Sequence, residues 1–199
     1  MTRPQLYLAS QSPRRAELLR QLGLDFEIVV VPVDESVRAD EAPVDYVRRV
    51  AREKAVAAAA KLRYPTDAVL LAADTSVVVD DDVLGKPADR NAYLDMIARL
   101  AGRSHLVMSA IALWTPAGVE EALSLSEVWF RDITPAEAAA YWETGEPADK
   151  AGGYAIQGRA ALFVERLAGS YSGVVGLPLF ETAQLLQKHG VPVLQQEVE

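Results

Sequence analysis

The sequence predicts an α/β fold around a mixed β-sheet. Residues 68–73 form a continuous apolar run, which is typical of a strand buried on both faces. Residues 105–114 and 122–130 have the pattern of two long strands, and the short turn at 115–118 between them favours an antiparallel pair. Helical patterns separate the other strands, as they do in parallel sheets. Both kinds of strand pairing in one chain indicate a mixed sheet with flanking helices.

The first half of the chain begins with a strand followed directly by a helix. An alternating apolar run predicts a strand that ends at Ala9. Residues 13–22 predict a helix with Ser12 as the N-cap, Pro13 as the first helical residue and Gly23 after its end. The other predicted elements of this half are a strand at 25–33, a helix at 43–62, and a hairpin of 76–79 and 83–84 that turns at 80–82.

The second half contains two helices with clear start signals. Asp89 is the predicted N-cap of a helix that continues through Leu100. Thr134 and Glu137 match a capping box, with Pro135 in the first helical position, and predict a helix to about residue 144. The remaining predictions are a strand at 161–167 and a final helix at 178–189.

Composition excludes several classes of protein. The chain has 199 residues, no cysteine and a net charge of −8, so it lacks disulfides, thiolate zinc sites and a cysteine nucleophile. An acidic protein repels polymeric nucleic acid, and a polyanion that binds it must be small and held in a local basic pocket. No apolar run has the length of a membrane span or of a signal peptide core, so we expect a cytoplasmic protein without membrane contact. No linker divides the chain, and we expect one domain over residues 1–199.

Two arginines occupy an unusual position at the start of the first helix. Arg14 and Arg15 lie in its first turn, where the helix dipole disfavours each cation by roughly 0.3–1 kcal/mol. Free backbone N–H groups, the dipole and two guanidinium groups would all favour a bound anion such as phosphate. The alternative is a solvated basic helix end without a ligand.

Three charged residues lie in apolar or rigid surroundings. Lys54 falls on the apolar face of the long predicted helix, so it either extends past the edge of the core or points into a cleft. Asp74 follows the apolar run and precedes more apolar strand, where an ionised carboxylate is costly unless it is paired, hydrogen-bonded or bound to a metal. Lys86 lies between Gly85 and Pro87 on a stiff loop that could return toward Asp74, although most loop lysines are simply solvated.

Further polar groups follow the second strand and lie in a glycine-rich segment. Asp34 and Glu35 end the segment 25–33, and they could join Asp74 in holding a divalent cation or simply form a charged turn. Gln157 lies in the segment 149–158, and its amide can both donate and accept, as recognition of a nucleobase edge requires.

The known nucleotide motifs and nucleophiles are missing. The sequence has no Walker A motif, no dinucleotide-binding glycine motif and only two histidines, His105 and His189. A histidine-based triad is therefore disfavoured. Basic groups for phosphate, carboxylates for metal and the lack of a nucleophile together favour metal-assisted attack by water.

These residues also form a recognisable set. They are Ser10-x-Ser12-Pro13-Arg14-Arg15, Lys54, Ala73-Asp74-Thr75, Gly85-Lys86-Pro87 and Asp149-Lys150-Ala151-Gly152. In this order the set resembles the Maf family of nucleoside triphosphate pyrophosphatases, and the resemblance runs from about residue 6 to residue 186. It implies an elongated mixed sheet with flanking helices, in two lobes around a cleft, similar to the inosine triphosphate pyrophosphatases.

The resemblance also implies a reaction. Family members hydrolyse a nucleoside triphosphate to the monophosphate and pyrophosphate with a divalent metal, Mg²⁺ or Mn²⁺. Water attacks the α-phosphorus, and basic side chains stabilise the departing pyrophosphate. Asp74 would be the proton acceptor, and Glu35 and Asp74 would hold the metal. The residues implied to bind the triphosphate are Ser10, Arg14, Arg15, Lys54 and Lys86.

Three positions match one branch of the family. The branch that acts on dTTP and UTP has the arginine, threonine and glutamine found here as Arg14, Thr75 and Gln157. The branch that acts on 7-methyl-GTP has tryptophan, glutamine and glutamate at those places. The resemblance therefore implies a pyrimidine nucleotide substrate. The expected partners are that substrate and, at most, a second copy of the chain in a homodimer.

The resemblance leaves a second hypothesis open. The Maf family is also associated with arrest of septum formation and cell division, so the chain could be a nucleotide-binding regulator with little turnover. A phosphatase for another small phosphorylated metabolite is a third hypothesis. Separate assays for pyrophosphate and orthophosphate over a panel of nucleotides distinguish all three.

Overall fold

A seven-stranded mixed β-sheet forms the centre of the protein in a computed structural model that describes residues 4–62 and 65–194. The strands are β1 (Gln5–Ala9), β2 (Glu27–Ile28), β3 (Ala68–Val79), β4 (Asp82–Leu84), β5 (Ser104–Thr115), β6 (Gly118–Phe130) and β7 (Val164–Ala168). Their order is β2-β1-β3-β5-β6-β7, and β4 pairs with β3. Strand β1 is parallel to both β2 and β3, whereas every other pair is antiparallel.

Six α-helices within residues 4–62 and 65–194 pack around this sheet. They are α1 (Pro13–Gln21), α2 (Pro43–Ala59), α3 (Arg90–Leu100), α4 (Pro135–Trp142), α5 (Tyr171–Val175) and α6 (Leu179–Lys188). Short 3₁₀ helices occur at Pro65–Asp67, Glu146–Asp149, Ala151–Gly153 and Arg159–Leu162.

The long strand β3 changes its partner along one edge, and this change produces a gap. Its first part pairs with β1 up to Ala9 opposite Ala72, and its last part pairs with β4 from Val77 onward. Between them, residues 73–76 pair only with β5 on the other side. The chain leaves β1 at this same point to begin α1. A gap between two neighbours of one strand is where α/β sheets commonly bind ligands.

The core is divided between the two ends of the sheet. At the β1 end, alternate residues of β3 point to opposite faces. Leu71 packs in the cluster under α1 and α6, whereas Leu70 packs in the cluster under α2. At the other end, Val77 packs with Tyr93 of α3 and Phe130 of β6. The predicted mixed α/β fold with flanking helices is therefore confirmed. Its core clusters lie on either side of the gap between β1 and β4.

Several predicted elements have different bounds in the structure. The strand predicted at 25–33 is wrong beyond Glu27–Ile28, because its contact with β1 ends one residue later, at a bond of 3.1 Å from the N–H of Val29 to the carbonyl of Leu8. The separate strands predicted at 68–73 and 76–79 are one strand, and Asp74 lies inside it rather than at its end. The strand predicted at 161–167 begins only at Val164. The long helix ends at Ala59 instead of residue 62, and the short helix α5 was not predicted.

The helix starts agree better with prediction. Asp89 accepts a hydrogen bond from the backbone N–H of Ala92, and Thr134 and Glu137 form both bonds of the predicted capping box. The hairpin turns at Asp80 and Asp81, which both have positive φ, as a two-residue turn of type I′ requires. Arg103, which lies just before β5, donates to both carboxylate oxygens of Asp80 in this turn.

Buried His105 predicts a pH dependence of stability. Its Nε2 lies 2.7 Å from the hydroxyl of Tyr154, and burial lowers its pKa from 6.5 to about 4. Between these pH values the unfolded chain binds a proton that the folded protein does not, so the free energy of unfolding falls as the pH falls. We expect a contribution of about 1.4 kcal/mol per pH unit within this window.

Urea unfolding at several pH values from 7 to 4 measures this contribution. We expect His105→Gln to lower stability at pH 7 but to have a shallower dependence on pH than the unsubstituted protein. Carboxylate groups contribute equally to both slopes, so their difference isolates the histidine. Parallel slopes would contradict the prediction.

Candidate active site

A cavity of about 730 Å³ lies at the gap beside β3. Its walls come from the β1–α1 connection, residues 30–35, helix α2, strand β3, the loop after β4, the segment 149–157 and the end of α5. Nine of the residues singled out by sequence line it: Ser10, Arg14, Arg15, Glu35, Lys54, Asp74, Thr75, Lys86 and Gln157. Asp34, the other carboxylate considered for a cation, is exposed and lies outside the lining. The fold therefore brings together positions that are far apart in the chain.

The start of α1 has the features of an anion site. Ser12 occupies the N-cap position but makes no side-chain cap, which differs from the predicted role. Instead, the hydroxyl of buried Ser10 accepts a hydrogen bond of 3.1 Å from the N–H of Ser12. The N–H groups of Arg14 and Arg15 belong to the first turn, where backbone donors have no partner within the helix. They can therefore bind an anion in the cavity.

Arg15 is fixed against the sheet and α5. Its Nε donates to the carbonyl of Gly176 over 2.8 Å, and its Nη2 donates to the hydroxyl of Thr75 over 3.3 Å. Thr75 shares a further bond of 2.9 Å with Ser109, whose hydroxyl donates to the carbonyl of Gly173. Burial lowers the pKa of Arg15, and the nearby charge of Asp74 opposes this effect. These contacts leave Nη1 for a ligand.

Arg14 extends in a different direction. Its Nη1 lies 3.7 Å from a carboxylate oxygen of Asp149, in the segment that leads to Gln157. The Asp149 carboxylate is mostly exposed and also accepts a hydrogen bond from Lys150. The two arginines thus lie against different walls of the cavity, Arg15 toward the sheet and Arg14 toward the glycine-rich segment.

Lys54 lies between two carboxylates. Its Nζ is 2.8 Å from Asp74 and 2.9 Å from Glu35, so the side chain points into the cleft and not past the core edge. Asp74 is only 7% exposed, whereas the side chain of Glu35 is half exposed. Burial alone would raise the pKa of Glu35, but the hydrogen bond and charge of Lys54, with the charges of Lys86 and Arg15, lower it overall. Glu35 is therefore ionised at neutral pH.

Side chains of α2 hold the segment that carries Glu35. Tyr46 donates its hydroxyl to the backbone carbonyl of Glu35 over 2.9 Å, and burial with the charges of Asp74 and Glu35 raises its pKa to about 12. Arg49 donates to the carbonyls on either side, at Asp34 over 3.4 Å and at Ser36 over 2.8 Å. Three consecutive carbonyls are thereby bound to one helix.

The two carboxylates fit a divalent cation together with a phosphate ligand. Asp74 and Glu35 both contact one cationic atom, Lys54 Nζ, so their oxygens already converge on a single position. Over residues 4–62 and 65–194, no cluster of three or more His, Cys, Asp or Glu side chains could hold a metal alone. Mg²⁺ sites commonly use one or two carboxylates and complete the shell with substrate phosphates and water. The donor set here is of that kind.

Sequence reasoning missed the residues that hold the cavity walls. Tyr46, Arg49, Ser109, Tyr141 and Glu146 all bind backbone atoms of wall segments. The side chain of Arg49 is only 12% exposed, although it lies on a helix rich in solvated arginines. A hydrogen bond to a distant backbone atom leaves no pattern in the sequence, so these roles become visible only in three dimensions.

Comparison with known proteins identifies the family. The chain matches the family described as "Maf-like protein" over residues 5–189. It belongs to the Maf family. A "dTTP/UTP pyrophosphatase" of Methylococcus capsulatus is 53% identical over 94% of this chain and 91% of that protein. Another, from Saccharophagus degradans, is 51% identical over 96% of this chain and 91% of that protein.

Solved structures give a more distant match. The Ham1 protein of Staphylococcus aureus is 14% identical, with a TM-score of 0.46 over 64% of this chain and 72% of that chain. So distant a likeness has no bearing on activity. Among the helices of the described residues, none combines the length and the apolar character that crossing a bilayer requires.

Proposed function

We propose that this Maf protein hydrolyses dTTP and UTP, and modified pyrimidine triphosphates, to the monophosphate and pyrophosphate. The observation that carries the proposal is that the anion-binding start of α1 and the buried carboxylate of Asp74 face one cavity. Relatives at about half identity are named for this activity. Nucleotide-binding regulation without turnover is the alternative function, and a nucleotide panel with product assays distinguishes it from hydrolysis.

Basic groups on three walls would bind the triphosphate. The free N–H groups of α1, the remaining guanidinium donors of Arg15 and the hydroxyl of Ser10 would hold one phosphate group. Lys54 and Lys86 would neutralise the others from α2 and the loop after β4. The charge that develops on the departing pyrophosphate would thus be stabilised by groups that are already in place.

Asp74 is proposed as the proton acceptor for the attacking water. Its carboxylate is buried, lies 2.8 Å from Lys54 Nζ and is oriented by that contact. Glu35 and Asp74 would hold Mg²⁺ or Mn²⁺ together with phosphate oxygens. The metal would supply phosphate charge neutralisation and a more acidic water, since a carboxylate alone is a weak base. Positioning of water near the α-phosphorus then depends on the fixed direction of the Asp74 side chain.

Base preference is proposed to arise from Arg14 and Gln157, and the family resemblance adds Thr75 as a third position. Gln157 is exposed on the cavity wall formed by the segment 149–157, where its amide can both donate to and accept from a pyrimidine edge. Arg14 lies toward the same wall. The hydroxyl of Thr75 is already bound to Arg15 and Ser109. These contacts support a role in orienting Arg15, which would act on all nucleotides alike.

The compartment and the oligomeric state of the enzyme are also open to test. We infer that the chain works as a single domain in the cytoplasm and that a homodimer is the assembly to test. Light scattering coupled to size exclusion measures the assembly directly. A mass of about one chain at enzyme assay concentration would exclude the dimer.

A nucleotide panel with two product assays tests the function. We expect pyrophosphate rather than orthophosphate from dTTP and UTP, with turnover lost in EDTA and restored by Mg²⁺ or Mn²⁺. Release of orthophosphate from other metabolites would favour a phosphatase. Tight binding of dTTP with negligible turnover would favour the regulator, and 7-methyl-GTP as best substrate would contradict the proposed roles of Arg14, Thr75 and Gln157.

A further inference from the structure

The turn that presents Gln157 is attached at both ends to one pair of side chains. The N–H of Ala155, before the turn, donates to the hydroxyl of Tyr141 over 3.1 Å. The N–H of Arg159, after the turn, donates to the carboxylate of Glu146 at 3.0 and 3.2 Å. Tyr141 in turn donates its hydroxyl to Glu146. A continuous chain of hydrogen bonds therefore joins the two ends of the turn.

We propose that Tyr141 and Glu146 are positioning residues for Gln157 and thereby determine how well the enzyme distinguishes pyrimidine bases. This inference rests on the proposed function, in which Gln157 contacts the base. Neither residue lines the cavity, so neither is expected to touch the nucleotide. Their effect would be to fix the backbone from which the amide extends.

The burial pattern supports this role. Tyr141 is only 4% exposed, and burial raises its pKa, so the hydroxyl remains a donor to Glu146 at any neutral pH. Ala155 and Ile156 are also buried, whereas Gln157 itself is exposed to the cavity. The turn is closed by a bond of 2.9 Å from the N–H of Gly158 to the carbonyl of Ala155. A rigid turn thus carries one free polar side chain.

Gly158 gives independent evidence that the contact is close. A Cβ atom at this position would overlap both carboxylate oxygens of Glu146. The carboxylate therefore packs directly against the turn, and it can lie there only because residue 158 has no side chain. The substitution Gly158→Ala would displace the carboxylate without removing it.

Glu146 is also linked to the wall that Arg14 contacts. Its backbone carbonyl accepts a hydrogen bond of 2.8 Å from Lys150, and Lys150 contacts Asp149, the partner of Arg14. The same residue thus supports both of the groups proposed to contact the base. Loss of the side-chain contacts of Glu146 should mainly affect Gln157. The contact toward Arg14 is made by the backbone carbonyl of Glu146 and would remain.

The test compares discrimination between dTTP and dCTP, which differ at the edge of the base. We expect Tyr141→Phe and Gly158→Ala each to lower the ratio of kcat/KM for dTTP to that for dCTP by about tenfold. The lower kcat/KM for dTTP should come from a higher KM, and kcat should change less than twofold. Because the phosphate groups and Asp74 are untouched, kcat/KM for dCTP should stay within about twofold.

Tyr93→Phe is the matched control. Tyr93 packs in the same core cluster and donates its hydroxyl to the carbonyl of Ala138 over 3.1 Å, away from the turn. Its loss should lower the melting temperature without changing the ratio. Three results would each overturn the inference. The test variants could lose dTTP and dCTP hydrolysis together, both could keep the ratio unchanged, or the wild type could fail to distinguish the two nucleotides.

Failure of the positioning role of Tyr141 and Glu146 can be distinguished from failure of the proposed function. If the wild type binds dTTP without hydrolysing it, the proposed function fails. The ratio of dissociation constants for non-hydrolysable dTTP and dCTP analogues then replaces the kinetic ratio, with the same variants and the same expected tenfold change. An unchanged ratio of dissociation constants would overturn the role of Tyr141 and Glu146 in that case also.

Discussion

Asp74→Asn is expected to lower kcat for dTTP hydrolysis by about 10²- to 10⁴-fold, the range that a positioned general base contributes. Asparagine keeps the size of the side chain and can still accept the hydrogen bond from Lys54. It cannot take up the proton of water, and it removes one of the two negative charges beside Lys54. The product assay for pyrophosphate measures the loss.

Two further measurements separate a catalytic role from a structural one. A non-hydrolysable dTTP analogue should bind Asp74→Asn within a few-fold of its affinity for the wild type, since the phosphate-binding groups remain. Asp34→Asn is the matched control: it makes the same chemical change next to Glu35, on an exposed side chain outside the cavity lining. Near wild-type turnover by Asp74→Asn would exclude Asp74 as the proton acceptor.

The fold could be predicted where signals are local. The capping box at Thr134 and the N-cap at Asp89 each join residues three positions apart, and both are present. The strand at 25–33 failed because β-propensity does not reveal whether a partner exists. After Val29 this segment leaves the sheet and lines the cavity. Helix α5 is five residues long and depends on distant contacts such as Ser109 with Gly173, which no local pattern encodes.

The site could be predicted only in part, for a related reason. Arg15 and Asp74 are conspicuous in the sequence because each conflicts with its local surroundings, a cation at a positive helix end and a carboxylate in an apolar strand. Their proximity depends on where β1 and β4 pair with β3, which the sequence alone did not determine. Tyr141 and Glu146 show no such conflict, since each is an ordinary residue whose partners are backbone N–H groups.

Arg15→Lys is expected to lower kcat/KM for dTTP by about 10- to 100-fold, although the charge is kept. A hydrogen bond to a charged group contributes about 1.5–3 kcal/mol, and about 1.4 kcal/mol corresponds to a factor of ten. Arginine can bind Gly176 and Thr75 and still present Nη1 to a phosphate. Lysine has a single ammonium group, so it cannot occupy both anchors and the ligand at once.

Arg20→Lys makes the same change on the same helix and is the matched control. Arg20 lies in the last turn of α1 and packs over the ring of Phe26, away from the cavity lining. We expect its kcat/KM to stay within about twofold of the wild type. Equal values for Arg15→Lys and the wild type would show that only the charge of residue 15 matters.

Thr75→Val reveals which of two roles the Arg15 contact serves. Valine has nearly the shape of threonine but cannot accept the hydrogen bond from Arg15 or share one with Ser109. If Thr75 acts by orienting Arg15, its loss should weaken dTTP and dCTP equally and reproduce part of the Arg15→Lys effect. If it contacts the base itself, the ratio between the two nucleotides should change instead. The structure favours the first outcome, because the Thr75 hydroxyl already lies within hydrogen-bond distance of Arg15, Ser109 and the Gly176 carbonyl.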